Sequence, residues 1–396
     1  MNKTNRVVLL LAAYDFESLH LTLESLNHTL DYDENVVIVL NGKRGIRSSI
    51  VEEVAREWCQ QSENRYVVKP LNYGLDAYNS ISEVIHKFPL LQNVEFICKI
   101  DDDLIPVKKG WVDNLHQAYL KLEKQYREIG FVTSLINNNA WGFKRLIDIY
   151  KKKEEYEDIM NFESHSYDGI VNAKGIAEGR LGSVWQYPYL AKWVHTWTLY
   201  SIKDFIAKTA DLGIEEIGLD TYYSIGCIFF RKSLWSSLPL LGSDSSFDEL
   251  LIHEYCNKFN LRKFALMNEP MGHLFYYTQR IPNRLILPKI KASLANHWND
   301  QRFNHDFHYD ETTNLEIVLE NHLFDNVNRL DTLGRELDLV KKDSFIYRLK
   351  KRYYGFRTTV TDALPINYKK KQVKSHVTKK GTLTTIKVSE KKLIKK

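Results

Sequence analysis

The sequence predicts an α/β fold: a mostly parallel sheet flanked by helices, then a helical extension and a basic tail. Three observations carry this. Apolar, β-rich runs alternate with segments of helical period over the first 130 residues. The runs are continuously apolar, as strands buried on both faces require. After about residue 341 the composition turns lysine-rich. The domains expected are 1–284, 285–340 and 341–396.

Taken in order, RVVLLLAAY (6–14) reads as the first strand, and ESLHLTLESLNHTL places Leu19, Leu23 and Leu26 at helical spacing. NVVIVLNG is a second strand closed by a glycine turn. IRSSIVEEVAREWCQQ is a helix and RYVVKP a short strand. GLDAYNSISEVIHKF is a third helix, and VEFICKI is the strand that leads into Asp101, Asp102 and Asp103. Strand–helix alternation of this kind builds a parallel sheet, in which ligands gather at the carboxyl ends of strands. Residues 137–200 are less regular: DIYKKKEEYED reads as a solvated helix, and the aromatic-rich stretch around KWVHTWTLY has no clear period. The β pattern returns in YYSIGCIFFRKSLW, followed by a helix in SFDELLIHEYCNKFN and a strand in RKFALMN. From about residue 285 the chain reads as helical and polar.

The net charge of +5 hides an asymmetry. Residues 341–396 hold 18 Lys and Arg against 3 Asp and Glu, leaving 37 against 47 in residues 1–340. An acidic body offers no groove for nucleic acid. The tail, with aromatics among its lysines, suits an anionic membrane surface, or serves as a disordered solubilising segment. No run reaches the ~18 apolar residues of a spanning helix. The apolar start imitates a short signal peptide, but the sequence that follows favours a buried strand. Cys59, Cys98, Cys227 and Cys256 show no metal-binding or redox spacing. Free thiols in a reducing, cytoplasmic compartment are therefore expected.

Three consecutive aspartates end an apolar run, with no lysine or arginine beside them to absorb the charge. Carboxylates at i and i+2 beyond a strand can chelate one hard cation, Mg²⁺ or Mn²⁺, which leaves sites for a diphosphate. A solvated acidic turn is the alternative. Asp15 suits either a hydrogen bond to a nucleoside or a helix N-cap. Asn72 and Gly74 suit a turn against a nucleotide, with Asn79 on the following helix, or turn chemistry alone. Asp248 and Glu249 are candidate general bases, or acids favoured by a helix N-terminus. His273, after an expected turn in EPMGH, is a candidate metal or phosphate partner. His195 and Trp197 have the aromatic company of a sugar-stacking acceptor site, or of a core.

Residues 5–275 together resemble the GT-A-type nucleotide-sugar glycosyltransferases, especially glycosyltransferase family 2. VVLLLAAYDFESLHLTLESL looks like the opening strand, turn and helix of that family. KPLNYGLDAYNSI looks like its Asn-x-Gly segment, and FICKIDDDLIP like its metal-binding strand end. YYSIGCIFFRKSLW is similar to the strand beside the acceptor, and SFDELLIHEYCNKFNLRKFALMNEPMGH to the closing acidic pair, helix, strand and histidine. Asn41-Gly42 stands where the family often has an acid, and Asp248-Glu249 replaces Glu-Asp. The resemblance implies a GT-A-like fold with donor contacts from Ala13, Tyr14, Asp15, Asn41, Asn72, Gly74, Asn79, Asp101 and Asp102. It implies Mn²⁺ or Mg²⁺ on Asp101, Asp103 and His273, and Asp248 or Glu249 as the base of an inverting transfer. The expected donor is a nucleotide sugar, a UDP-sugar foremost. The acceptor would be a hydroxyl of a surface glycan or glycolipid, and the enzyme would sit in the cytoplasm or at the inner face of the membrane. Two rivals are a non-catalytic sugar-binding subunit and a sugar nucleotidyltransferase. The latter usually has a glycine-rich loop after the first strand, and LAAYDFESLH holds no glycine.

Overall fold

Residues Arg6–Ala12 form strand β1, and all seven are buried. Successive strand side chains point to opposite faces, so both faces of the sheet are covered here. The computed structural model describes residues 5–13, 15–41, 46–71, 77–160, 183–219, 221, 223–238, 248–275, 279 and 284–307. Helix α1 (Phe16–Thr29), capped by Asp15, leads to β2 (Val36–Leu40). Helix α2 (Ile46–Cys59) leads to β3 (Arg65–Val68), and α3 (Ala77–Lys87) precedes β4 (Phe96–Asp101). These strands lie side by side in the order β3-β2-β1-β4, each parallel to its neighbours. The chain thus steps outward from β1 to β3, then returns to the other side of β1. Such a switch point opens a crevice between the carboxyl ends of β1 and β4.

Beyond β4 the sheet is mixed. The next elements are β5 (Leu104–Pro106), α4 (Trp111–Gln125), β6 (Ile129–Ile136) and α5 (Ala140–Ile149). Then follow α6 (Pro188–Trp197), α7 (Ile202–Thr209), β7 (Ile214–Ile217), β8 (Cys227–Arg231), α8 (Asp248–Lys258) and β9 (Arg262–His273). Strand β8 runs antiparallel to both β4 and β6, β9 runs parallel to β6, and β5 and β7 pair antiparallel with β9.

Three local expectations change. EPMGH is strand rather than turn. Its β9 absorbs Met267–Glu269 as a bulge, because Ser134 pairs with Leu266 while Leu135 pairs with Pro270. The buried Glu269 there accepts hydrogen bonds from Lys108 and Asn114, and the bulge accommodates the proline. DIYKKKEEYED is not one solvated helix: it breaks at Lys151, whose φ is 54°, and buried Tyr156 packs its ring on Phe143. The region after residue 285 is not merely polar. Helix α9 (Leu287–Trp298) buries Leu287, Ile290 and Leu294 against Ile105, Leu199 and Phe275.

The stretch through Asn304 belongs to the same compact unit as the sheet, which extends to Arg335. The second unit, from Glu336 on, and with it the basic tail, lies outside the described residues. Among the described residues no helix is long and apolar enough to cross a membrane. All four cysteines are free and buried.

Candidate functional site

The aspartate turn sits at the switch-point crevice, and three sets of partners define it. Asp102 bridges the crevice: its Oδ2 accepts the backbone N–H of Ala13, at the end of β1, at 2.8 Å. Its own carbonyl accepts Thr22 Oγ1 from α1 at 2.9 Å. Its carboxylate is buried and clamps the two strand ends together.

Asp103 meets His273. Strand β5 pairs with β9 so that Leu104 lies opposite His273, and the preceding aspartate falls beside the imidazole. His273 Nε2 lies 3.2 Å from Asp103 Oδ1, and Nδ1 is 2.9 Å from the Asn138 carbonyl. Burial works against the charged imidazole, but the charge and hydrogen bond of Asp103, helped by Asn138 and Asp101, raise it to about 9. His273 thus faces Asp103 as its hydrogen-bond and charge partner at the aspartate turn.

Asp101 meets Lys99. Side chains at i and i+2 of a strand share a face, and Lys99 Nζ lies 2.6 Å from Asp101 Oδ1. The expectation of aspartates with no lysine or arginine beside them is thus corrected at Asp101, which has the Lys99 ammonium against it. Lys99 also donates to the Ile225 carbonyl at 3.0 Å, and Asp101 N–H donates to the Gly226 carbonyl at 2.9 Å. Asp101 remains the more exposed of the outer pair, with 27% of its side chain accessible against 6% for Asp103.

Segment 223–226 therefore borders the turn, and it also carries the contact to α8. Ser224 Oγ donates to Glu249 Oε1 at 2.8 Å. Asp248 opens α8, but its side chain lies outside the described residues. The segment is held from behind by His253 of α8, whose Nε2 accepts the Tyr223 N–H at 2.7 Å. Lys263 of β9 donates to the Leu219 and Thr221 carbonyls and lies 3.2 Å from His253 Nδ1. Burial, reinforced by the charge of Lys263, lowers His253 to about 3.

The other expected site residues divide. Asp15 accepts Ser18 N–H at 3.1 Å as the cap of α1. Asn41 continues from β2, with its side chain accepting Ser80 Oγ of α3 at 2.8 Å. Asn79 lies half-buried on α3, while Tyr14, Asn72 and Gly74 lie outside the described residues. His195 and Trp197 belong to the interior rather than to an acceptor surface. His195 is fully buried, with Nε2 3.1 Å from the Leu274 carbonyl and Nδ1 3.2 Å from Asn137 Nδ2. Burial drives its pKa down to about 4 despite the Leu274 carbonyl. Trp197 is buried against Tyr150 and Trp193.

Sequence reasoning missed Lys99, Ser224 and Asn137–Asn139. The asparagines follow β6 and are all buried. Asn137 Oδ1 accepts the His273 N–H, Asn138 donates to Gln279, and Asn139 caps α5. Three asparagines directly after an apolar strand were a readable signal, as was a lysine two residues before Asp101. Ser224 had none.

Chemically, the crevice offers two outer carboxylates of a type that suits Mg²⁺ or Mn²⁺. Such ions commonly take one or two carboxylates and fill the shell with water and phosphate oxygens. Among the described residues no three His, Cys, Asp or Glu side chains converge as a complete protein cage. A third acid, Glu249, faces the same bordering segment and suits proton transfer.

No protein-family model and no curated protein matches this chain. Among solved structures it is similar to S. aureus TarS residues 1–349, with 13% identity over 85% of this chain and 81% of that one, at a TM-score of 0.35. It is also similar to mouse xyloside xylosyltransferase 1 in its apo form, with 9% identity over 67% and 79% of the two chains and a TM-score of 0.27. At these scores neither likeness carries an argument, and the site rests on its own geometry.

Proposed function

We propose that this protein is a glycosyltransferase that moves a sugar from a nucleotide-sugar donor to a hydroxyl of a glycan or lipid-linked acceptor. One observation carries the reading: the aspartate turn lies at the switch point between β1 and β4, tied to β1 by Asp102 and bordered by the segment that binds Glu249. A nucleotide held in that crevice brings its diphosphate to Asp101 and Asp103 and its sugar toward segment 223–226. Asp101 and Asp103 would hold Mn²⁺ or Mg²⁺, which supplies charge neutralisation for the departing diphosphate.

Glu249 or its neighbour Asp248 takes the proton of the acceptor hydroxyl as that oxygen attacks the anomeric carbon. The bond from that carbon to the diphosphate breaks, and the electron pair leaves with the nucleotide. This in-line displacement inverts the sugar. Ser224 holds the Glu249 carboxylate toward the segment, and general-base assistance of this kind contributes ~10²–10⁴-fold. The basic segment 341–396 suits an anionic membrane surface that carries a lipid-linked acceptor.

The test is a panel of nucleotide sugars, UDP-sugars first, with and without Mn²⁺. Thermal stability and nucleotide release are followed together. A donor that raises the melting temperature only with Mn²⁺, and is consumed when acceptor is added, supports the reading. Indifference to every nucleotide sugar in both readouts refutes it.

A further inference from the structure

We infer that Lys99 is the resident counter-cation of the aspartate turn, and that a divalent cation binds there only in competition with it. The inference rests on the proposed reading of Asp101 and Asp103 as cation ligands, and concerns a residue that reading leaves without a role.

The argument starts from burial. Lys99 lies within the central strand β4 and is 2% exposed. A buried ammonium costs several kcal/mol unless it is paired and hydrogen-bonded. Here it has Asp101 Oδ1 at 2.6 Å and the Ile225 carbonyl at 3.0 Å. An ammonium that close neutralises Asp101 in the absence of any metal, which explains how the consecutive acids are tolerated in the folded chain. The same attraction opposes a dication. A metal on Asp101 brings two positive charges beside a third, in a setting where water screens them poorly.

Lys99 has a second consequence. Its bond to Ile225 fixes the segment that carries Ser224, the partner of Glu249. One ammonium thus touches both the cation-binding acid and the support of the proposed base.

The experiment is a Mn²⁺ titration followed by electron paramagnetic resonance on the full-length chain, without nucleotide. Lys99→Gln, Lys99→Met and Lys99→Arg are compared with wild type. Lys99→Gln keeps a donor for Ile225 and removes the charge, and should tighten Mn²⁺ binding by about tenfold or more. Lys99→Arg, which keeps the charge, should stay near wild type. A folded Lys99→Gln protein with wild-type Mn²⁺ affinity overturns the competition while leaving the metal reading intact. No Mn²⁺ binding in any of the proteins overturns the metal reading and the competition with it.

Lys99→Met removes the ammonium from Asp101 and is expected to melt earlier in EDTA. Adding Asp101→Asn to Lys99→Met should restore part of that loss. A double variant no more stable than Lys99→Met overturns the assignment of Lys99 as the partner of Asp101.

Discussion

Replacing Asp102 by alanine removes the carboxylate that clamps the end of β1 to the end of β4. The lost interaction is a hydrogen bond from the Ala13 N–H to a charged acceptor at 2.8 Å, in a buried setting. Hydrogen bonds to charged groups contribute ~1.5–3 kcal/mol, and the amide left behind is partly shielded from water. The Thr22 bond to the Asp102 carbonyl survives the substitution, so the expected loss is about 2 kcal/mol, near the middle of that range. Asp102→Asn keeps a side-chain oxygen for Ala13 and loses only the charge, and should cost about 1 kcal/mol or less. Urea denaturation followed by circular dichroism measures both, with an unchanged slope confirming that the midpoint shift reports stability. Nucleotide binding by Asp102→Asn should remain close to wild type, since the carboxylate faces the strand ends. Two results would refute the reasoning: an Asp102→Ala protein as stable as wild type, or one that keeps its stability and loses nucleotide binding. The second would make Asp102 a ligand contact instead of a clamp.

Glu249→Gln or Asp248→Asn, whichever removes the base, should lower kcat at least a hundredfold with little change in donor affinity, and Ser224→Ala should lower kcat less. Turnover and donor Kd measured on all three decide it, and near-normal turnover in both acid variants would sink the base assignment. Gly142→Ala should destabilise the chain by about 3 kcal/mol or more, because a Cβ at position 142 would lie 2.0 Å from the Ile136 carbonyl oxygen, a backbone atom with nowhere to move. A urea midpoint equal to wild type would contradict that close approach. His253 is held neutral in the folded chain to about pH 3, whereas the unfolded chain protonates it near pH 6.5. Between those values the unfolded state binds the extra proton, so stability falls as pH falls, by up to about 1.4 kcal/mol per pH unit from this residue. Relative to His253→Gln, the wild-type stability advantage should therefore shrink between pH 7 and pH 5. A gap that does not change with pH would contradict the assignment.

The sequence alone determined the parallel half of the sheet. Runs such as Val7–Ala12 and Val36–Leu40 are apolar at every position, which only a strand covered on both faces satisfies. Their alternation with helices leaves few ways to connect them, and the aspartates then fall at a strand end. The capping role of Asp15 was legible for the same reason, since it depends on a neighbour three residues away. The partners of the aspartates were not. Ala13 is 89 residues from Asp102, Ile225 is 126 from Lys99, and Asp103 meets His273 only because β5 and β9 pair. Nothing local marks such pairings, because they are set by strand register, and register is decided by how all nine strands of the described residues fit together. The same holds for His195, whose aromatic neighbours in sequence are equally at home against a sugar or in a core. The tertiary fold places it in the interior beneath Leu274, because the loop after β6 and the end of β9 close over it. Local patterns thus reveal which residues can do chemistry, and long-range packing decides which of them face one another.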